Sequence, residues 1–528
     1  MGQKMRELVE ELHRIREQVK QMGGPEKVKQ QHERGKLTVR ERLDLLFDKD
    51  SHFFETGILG TEPGTERVPA DGVVTGFGKV DNRYIGVIAY DYTVKGGSMG
   101  FVNEIKCTRI RELCLRWKIP LVWLIDSGGA RISASSATTL GGGLAGEAIA
   151  LFANSGWLFK EESIMSGIIP LVCAQMGPGY AGTAYIPGLA DVVFMVKGKS
   201  FMGLGGPSLV KMVTGETIDE ENLGGSKIHT EISGCADNEY PDDPSCLKAV
   251  RDYLSFMPNS NEEKPPRKKF DGDPLALIDD RILDVLPDNP KQAYDMHKII
   301  NLIVDNGEFF EIKPKWARNI IVGFGRIGGY VVGFVANNPM FYGGVLDVNA
   351  SDKAARFIWL CDSFNIPLVF LADVPGFMVS SKTEKDGLIR HGAKMIHAVA
   401  EATVPKFTVI VRKAYGAGYY AMCGKSFDPD IIVAWPTGEI SVMGPEGMVS
   451  IFAKKQLEAM TPEEAKEFTN QMAESIRPYI DIKKPAGWGF IDDVIDPRET
   501  RRILYLSLEL TEKKKVLREK RKHGVYPV

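Results

Sequence analysis

The sequence predicts an α/β protein that contains two copies of one domain, and three observations lead to this prediction. Residues 76–126 match residues 323–373 in a single register, with glycines and apolar runs at corresponding places. Short apolar strands alternate with helical segments in both stretches, which is typical of parallel sheets covered by helices. Between the copies, residues 259–274 contain two consecutive prolines and a basic run, as a linker does. We therefore expect one domain at 1–264 and a second at 265–528.

The internal repeat consists of short matches that keep their order and spacing. The corresponding segments are Gly76-Phe77-Gly78 and Gly323-Phe324-Gly325, Gly86 and Gly333, Gly96-Gly97 and Gly343-Gly344, Leu113-Cys114 and Leu360-Cys361, Ile119-Pro120-Leu121-Val122 and Ile366-Pro367-Leu368-Val369, and Asp126 and Asp373. Unrelated sequence of this composition would agree at about one position in fifteen. After an insertion the match resumes, with Gly182 against Gly418 and Gly206 against Gly444. A duplicated domain explains this pattern better than chance agreement between glycines.

Hydrophobic patterning places several elements within this frame. Residues 84–89 and 331–336 predict strands, residues 354–364 a helix, and residues 368–371 a further strand. Residues 500–522 predict a charged amphipathic helix with a solvated face. An apolar stripe in steps of three and four predicts a helix at the N-terminus, formed by Met5, Leu8, Leu12, Ile15 and Val19. With so few heptads, this helix is expected to pack on the protein rather than form a free coiled coil.

The bulk properties exclude several classes of protein. Of the 528 residues, 44% are hydrophobic and 26% charged, and the net charge of −3 gives no general attraction to nucleic acid or anionic lipid. The seven cysteines form no CxxC pair and no zinc-ligand spacing, which predicts reduced thiols, no metal site and a cytoplasmic location. No signal peptide and no run long enough to span a bilayer is found.

Glycine-rich turns carry the chemistry that the sequence predicts. In each copy a strand leads into one such turn, at Asp126-Ser-Gly-Gly-Ala-Arg131 and at Asp373-Val-Pro-Gly-Phe377. A second strand in each copy leads into a run of small residues, at residues 176–184 and 414–421. Small residues at the start of a helix leave backbone N–H groups open to a ligand, so each copy is expected to hold one oxyanion. The alternative is that these glycines only permit tight turns and close helix packing.

The side chains offer no competing catalytic motif. The sequence contains no GxSxG elbow, no phosphate-binding Walker A loop and no HExxH zinc motif. His391 and His397 lie near the second turn but are more consistent with structural histidines than with a catalytic pair. Arg131 and Lys197 are candidates for binding a coenzyme A phosphate, and a surface salt bridge explains them equally well.

Several long motifs occur in a fixed order: Arg34-Gly-Lys-Leu-Thr-Val-Arg-Glu-Arg42, Asp126-Ser-Gly-Gly-Ala-Arg131, Asp373-Val-Pro-Gly-Phe377, Arg390-His-Gly-Ala-Lys394, Ala400-Glu-Ala-Thr-Val-Pro405 and Arg412-Lys-Ala-Tyr-Gly416. Taken together, they resemble one enzyme family over nearly the whole chain, the carboxyltransferase (β) subunit of propionyl-CoA and methylcrotonyl-CoA carboxylases. The resemblance implies a tandem duplication of a crotonase-like (ClpP-like) ββα superhelix domain. It also implies transfer of CO2 from carboxybiotin to the α-carbon, or vinylogous γ-carbon, of an acyl-CoA.

The resemblance assigns roles position by position. Gly182 and Thr183 would hold the thioester enolate through their N–H groups, and Ala417 and Gly418 would hold the biotin ureido oxygen. The residues implied on the acyl-CoA side are Gly128, Gly129, Ala130, Arg131, Ala181 and Tyr420, and those on the biotin side are Pro375, Gly376 and Phe377. Thr183 replaces a usual glycine, so its side chain is expected to narrow the pocket. Tyr420 replaces a small or acidic residue, which leaves the acyl group unnamed.

The resemblance also implies partners. The chain has no biotinylation motif and no ATP-grasp loop, so biotin would arrive on a separate carrier that a separate biotin carboxylase charges. The N half of one subunit would face the C half of another, which makes a dimer the minimum and a hexamer the expected assembly. No nucleic-acid partner is expected.

Two other functions stay open. The first is the α subunit of a biotin-dependent acyl-CoA decarboxylase of glutaconyl-CoA type, the one case that would place the chain in a membrane-linked complex. The second, less favoured, is a biotin-independent crotonase-like hydratase or hydrolase, for which Glu147 is the only nearby acid–base candidate.

Overall fold

A computed structural model describes residues 2–61, 68–131, 156–276, 278–519 and 521–527. The chain divides into two compact units, Met1–Glu263 and Lys264–Val528. Each unit is built on one eight-stranded sheet whose central strands are buried on both faces. None of the helices in these described ranges has the length and apolar character needed to cross a membrane.

The two sheets have the same topology. In the first unit the strands are β1 (Phe54–Thr56), β2 (Val73–Val80), β3 (Arg83–Tyr90), β4 (Leu121–Ser127), β5 (Leu171–Tyr180), β6 (Val192–Val196), β7 (Phe201–Gly203) and β8 (Asn238–Tyr240). In the second they are β9 (Phe309–Ile312), β10 (Ile320–Ile327), β11 (Tyr330–Asn337), β12 (Leu368–Val374), β13 (Lys406–Tyr415), β14 (Ile431–Ala434), β15 (Glu439–Ser441) and β16 (Asp493–Val494). The first three strands of each sheet pair antiparallel, and every later pairing is parallel.

Helices cover both sheets. The described α-helices of the first unit are α1 (Gly2–Lys20), α2 (Gly24–Glu33), α3 (Val39–Leu46), α4 (Phe101–Trp117), α5 (Trp157–Met165), α6 (Gly182–Leu189), α7 (Pro207–Thr214), α8 (Glu220–Gly224) and α9 (Asp243–Leu254). Those of the second are α10 (His297–Ile303), α11 (Val348–Ser363), α12 (Ser381–Lys385), α13 (Leu388–Glu401), α14 (Gly416–Ala421), α15 (Pro445–Phe452), α16 (Lys454–Leu457), α17 (Pro462–Ile480), α18 (Lys483–Gly487) and α19 (Thr500–Leu510).

Strand registers confirm the duplication. Gly86 pairs with Leu121 between β3 and β4, and the corresponding residues Gly333 and Leu368 pair between β11 and β12. The register then slips at the same place in both units, at Asp126 in the first and at Asp373 in the second. A shared irregularity of this kind is a β-bulge inherited by both copies.

One residue correspondence predicted from the sequence is wrong by one position. Ser127 pairs with Gly179 and the equivalent Val374 pairs with Ala414, so Gly182 corresponds to Ala417 and not to Gly418. Small residues recur at neighbouring positions in both turns, so the sequence alone could not fix the register there.

Helix boundaries depart from prediction where side chains cap or bind the backbone. The helix predicted at 354–364 begins earlier, at Val348, because the Asp347 carboxylate accepts a hydrogen bond from the N–H of Ala350. The helix predicted at 500–522 ends at Leu510, and its apolar face is buried. Beyond it, Lys514 Nζ lies 2.7 Å from Asp430 Oδ2 and Arg518 donates to backbone carbonyls, so these basic side chains are not simply solvated.

The N-terminal helix exists, but its predicted packing is confined to one end. Of the apolar stripe on α1, only Val19 is buried. Met5 is 62% exposed and Leu8 50% exposed. The helix therefore rests on its own unit through its last turn.

A carboxylate is buried at the bulge of each sheet. Asp126 has no exposed surface and binds three side chains of the N-terminal segment: Lys36 Nζ at 2.7 Å, Gln31 Nε2 at 2.9 Å and Arg42 Nη1 at 3.1 Å. Arg42 is itself fully buried and also donates to Asp243 at 2.8 Å. A capping box at Thr38 and Glu41 starts α3 and so fixes where Arg42 projects.

The second unit neutralises its carboxylate in a different way. Asp373 accepts a hydrogen bond from Arg412 Nε at 3.0 Å, and Arg412 lies on the neighbouring strand β13 of the same sheet. The strand registers place Gly177 at the position of Arg412 in the first unit. A methyl group on Gly177 would lie 1.9 Å from Asp126 Oδ1, so this strand position has no room for a side chain. The N-terminal segment supplies the missing cation.

We predict that Arg42→Ala destabilises the first unit by about 3–5 kcal/mol, because it leaves two buried carboxylates undercompensated. Arg109→Ala, which removes an exposed pair with Glu112, should change stability by less than about 1 kcal/mol. Thermal and urea unfolding of the two variants and the wild type measures the difference. Equal stability of both variants would show that the buried network contributes nothing.

Candidate active site

The turn after the bulged strand is held in the same way in both units. In the first, the Met99 N–H donates to the Gly129 carbonyl at 2.8 Å and the Arg131 N–H donates to the Met99 carbonyl at 2.9 Å. In the second, Leu346 makes the same pair of bonds with Gly376 and Met378, at 3.0 and 2.8 Å. Both predicted turns are therefore ordered loops, each joined to a neighbouring segment by a pair of backbone hydrogen bonds.

Glycine is required in these turns. Gly129 has φ of +86° and Gly376 has φ of +125°, a region that other residues rarely adopt. A methyl group on Gly129 would also approach the Tyr180 carbonyl to 3.0 Å. Gly128 and Ala130, on either side of Gly129, are exposed.

The start of α6 carries the predicted enolate site. Ala181, directly before the helix, has φ of +52° and ψ of −116°, a strained conformation for a residue with a side chain. Its N–H donates to the Gly203 carbonyl at 3.1 Å. Gly182 and Thr183 are the first two helical residues, whose N–H groups have no carbonyl acceptor within the helix and lie at its positive end.

The two N–H groups differ in access. Gly182 is partly exposed, whereas Thr183 is fully buried. The Thr183 hydroxyl donates to the Tyr180 carbonyl at 2.9 Å. The prediction that this side chain narrows an open pocket is therefore wrong, because the hydroxyl folds back onto the preceding strand.

The start of α14 repeats this arrangement in the second unit. Gly416, at the position of Ala181, also has positive φ, at +55°. Ala417 is exposed and Gly418 is buried, whereas in the first unit Gly182 is half-buried and Thr183 is buried. A methyl group on Gly418 would lie 2.8 Å from Val374 Cγ2 and 3.0 Å from the Gly376 backbone. The helix start thus packs directly against the turn that contains Pro375, Gly376 and Phe377.

Arg131 and the two histidine candidates have structural partners. The Arg131 guanidinium binds the buried Asp71 carboxylate at 2.5 Å and the Ser98 carbonyl at 2.9 Å, so it forms a salt bridge, although a largely buried one. His391 binds Asp352 at 2.6 Å, and His397 contacts the edge of the Trp359 ring. Glu147 lies outside the described residues. In the described ranges, no cluster of His, Cys, Asp or Glu side chains is arranged to hold a metal ion.

Tyr420 lies on α14, two residues after the helix-start pair. It is 47% exposed, and its ring stacks on Phe427 with centroids 6.2 Å apart. The stacking covers one face of the ring, and about half of the residue stays exposed.

A charged cleft of about 210 Å³ in the second unit was not predicted from the sequence. Its lining includes Pro375 of the turn, Lys413 and Tyr415 of β13, and Glu439 and Arg477. Burial lowers the pKa of Lys413 below the ordinary lysine value. Pro375, Lys413 and Tyr415 belong to motifs that the sequence shows, and Tyr415 corresponds to Tyr180 in the first copy. Glu439 and Arg477 come from later elements and have no sequence signal.

Known proteins share this architecture. The model of the carboxyl transferase domain matches residues 30–526. The chain belongs to the carboxyl transferase family. This confirms the predicted family and its enzyme class, a carboxyltransferase of the acyl-CoA carboxylase type.

Two curated relatives extend over the whole chain. A methylmalonyl-CoA decarboxylase subunit alpha from Veillonella parvula is 41% identical over 531 residues, covering 99% of this chain and 99% of the relative. A propionyl-CoA carboxylase carboxyltransferase subunit from Haloferax mediterranei is 40% identical over 531 residues, covering 99% of this chain and all of the relative (100%). Among solved structures, transcarboxylase 12S, described as a hexamer with methylmalonyl-coenzyme A bound, superimposes with a TM-score of 0.90 at 38% identity over 98% of both chains. This likeness confirms the predicted fold class.

We predict that Gly182→Pro strongly lowers the rate of carboxyl transfer. Proline at the first helical position keeps the helix but removes the N–H, and loss of one oxyanion donor lowers turnover by about 100- to 1,000-fold. Gly182→Ala keeps the N–H, and its methyl group would make only ordinary contacts, at 3.6 Å from Phe159 and 3.7 Å from Met99. It should retain far more activity.

The comparison requires folded proteins, shown by an unchanged oligomer and melting temperature. Gly188→Ala is the control, because a methyl group there meets nothing within 4 Å on the same helix. Near-normal turnover of folded Gly182→Pro would mean that this glycine serves only the turn.

Proposed function

We propose that this enzyme moves a carboxyl group between carboxybiotin on a carrier protein and the α-carbon, or vinylogous γ-carbon, of an acyl-CoA. The observation that carries the proposal is the duplicated helix start. Each unit presents a backbone N–H at the positive end of a helix, directly after a residue with positive φ. A hydrogen-bonded glycine turn lies beside it. Two such sites suit a reaction in which two substrates each develop negative charge on an oxygen.

In this proposal the first unit binds the acyl-CoA. The N–H groups of Gly182 and Thr183 stabilise the enolate oxygen, with Gly182 as the accessible donor. Loss of the α-proton places charge on the thioester oxygen, and the helix dipole of α6 favours that charge without any reorganisation of the site. Ala181 and the turn from Gly128 to Arg131 line the acyl-CoA side.

The second unit binds biotin in this proposal. The N–H groups of Ala417, which is exposed, and of the neighbouring Gly418 suit a ureido oxygen on which negative charge develops during the transfer. Pro375, Gly376 and Phe377 form the adjoining wall. Biotin supplies the carboxyl group and a base for the α-proton, which accounts for the lack of a side-chain base among the predicted site residues.

The relatives support the partners of this proposal. The Haloferax relative is named as one subunit of a carboxylase, so we propose a separate biotin carboxyl carrier and a separate biotin carboxylase for this chain. The transcarboxylase structure is described as a hexamer, and we propose a homo-oligomer of at least two and typically six subunits.

Decarboxylation is the second candidate, favoured by the 41% identity to a methylmalonyl-CoA decarboxylase subunit. Both directions use the same two sites, since the enolate and the biotin anion occur in each. They differ in the partner that drives the reaction: an ATP-dependent carboxylase or a membrane-bound complex.

The proposal is tested by transfer of a labelled carboxyl group from malonyl-CoA or methylmalonyl-CoA to free biotin, with the protein separated by size. We expect transfer in the oligomeric fraction, with no hydration of enoyl-CoA and no thioester hydrolysis. Full transfer by a strict monomer would contradict the proposed assembly. Turnover of acyl-CoA without biotin would favour a hydratase or hydrolase.

We predict that Tyr420 sets the acyl-chain preference. Tyr420→Ala opens space beside the helix start, and each further methylene buried there contributes about 0.8 kcal/mol. Relative kcat/KM for longer or branched acyl-CoAs should rise by roughly tenfold or less. Competition between acyl-CoAs from acetyl to octanoyl measures this, with Tyr479→Ala, another exposed tyrosine of this unit, as control. An unchanged preference in Tyr420→Ala would place selectivity elsewhere.

A further inference from the structure

The last residue of the strand before each helix start is a tyrosine. Tyr180 ends β5 and Tyr415 ends β13, and the strand registers make them equivalent. Neighbouring positions have diverged, since Gly177 corresponds to Arg412 and Ala181 to Gly416. The tyrosine is therefore retained where the residues around it are not.

Each tyrosine ring packs on a glycine that precedes a proline-initiated helix. A methyl group on Gly206, before α7, would lie 2.9 Å from Tyr180 Cε1. The equivalent group on Gly444, before α15, would lie 3.5 Å from Tyr415 Cε2. The ring is thus held between the strand end and the following helix in both units.

Each phenol donates a hydrogen bond to a glutamate, but the two glutamates come from different elements. Tyr180 donates to Glu220 at the start of α8, and Tyr415 donates to Glu439 of β15. The two copies thus make the same contact with acceptors from unrelated places in the sequence. A contact that is rebuilt in this way points to a shared requirement at the strand end.

The surroundings of the two pairs differ in charge. Arg477 Nη1 lies 3.3 Å from Glu439, and Arg477 also binds Glu446, which Lys291 binds at 3.1 Å. Among the described residues, no cationic side chain forms a salt bridge with Glu220. Burial, and then the acceptor carboxylate, raise the pKa of both phenols, so both remain hydrogen-bond donors at neutral pH.

We propose that Tyr180–Glu220 and Tyr415–Glu439 are positioning pairs, each of which fixes the N–H groups of the helix start that follows it. The Tyr180 carbonyl also accepts the Thr183 hydroxyl, which ties this strand end directly to α6. If the proposed function holds, the Tyr180–Glu220 pair acts on the acyl-CoA site and the Tyr415–Glu439 pair acts on the biotin site.

The test measures both KM values in the transfer of a carboxyl group from methylmalonyl-CoA to free biotin, with the assembled full-length enzyme. Tyr180→Phe should raise KM for the acyl-CoA roughly fivefold, the effect of one neutral hydrogen bond, and leave KM for biotin within about twofold. Tyr415→Phe should do the reverse. Tyr84→Phe, an exposed tyrosine at the far edge of β3, is the control and should change neither KM.

Acceptor variants separate positioning from folding. Glu220→Gln keeps an acceptor and should stay close to wild type, whereas Glu220→Leu should reproduce Tyr180→Phe and replaces it if that variant does not fold. Equal changes in both KM values, no change in either, or equal effects of Gln and Leu would each overturn the assignment. A wild type that transfers no carboxyl group to biotin would instead overturn the proposed function.

Discussion

A carboxylate buried at the end of a central β-strand needs a cation, and in the first unit the path of the N-terminal segment follows from that need. Asp126 sits at the bulge that ends β4, immediately before the turn from Gly128 to Arg131. Lys36 and Arg42 reach it from outside the sheet, and Asp243 balances the second side of Arg42. Because a buried charge without a partner is far more costly than a paired one, segments distant in sequence are held together at this point.

The bulge is also what directs the turn. A bulge bends its strand, and here the chain leaves the sheet into a loop. This loop is hydrogen-bonded to the backbone of Met99 in one unit and of Leu346 in the other. The next strand ends in a tyrosine, a residue with positive φ follows it, and a helix begins there. Backbone geometry, rather than side-chain chemistry, therefore sets the character of both sites, and this explains why residues as different as Thr183 and Gly418 occupy equivalent positions.

Much of this could be predicted from the sequence. The duplication, the strands at 84–89 and 331–336 and the glycine turns follow from local sequence patterns, since a positive φ favours glycine and a buried strand favours apolar residues. The exact register between Gly182 and Ala417 does not, because neighbouring small residues are interchangeable in such a pattern.

Contacts between distant segments are harder to predict. Lys36 and Arg42 lie in a motif that was visible as a family signature, but nothing local indicates that Asp126 is their partner. The early end of α19 at Leu510 likewise depends on Lys514 and Arg518 finding acceptors elsewhere in the unit. Helical periodicity in a charged segment does not show that its basic side chains will bind acceptors elsewhere and end the helix early.

The unlike countercharges make the two halves of this chain unequal as modules. The second carries the arginine for its own buried aspartate within its sheet, whereas the first takes its cations, Lys36 and Arg42, from the N-terminal segment that precedes its sheet. After duplication, the residue at position 177 and the segment with Lys36 and Arg42 became dependent on each other. Replacing one of them by its equivalent from the second half now requires replacing the other as well. Two halves that keep one fold have in this way lost their interchangeability at a single buried site.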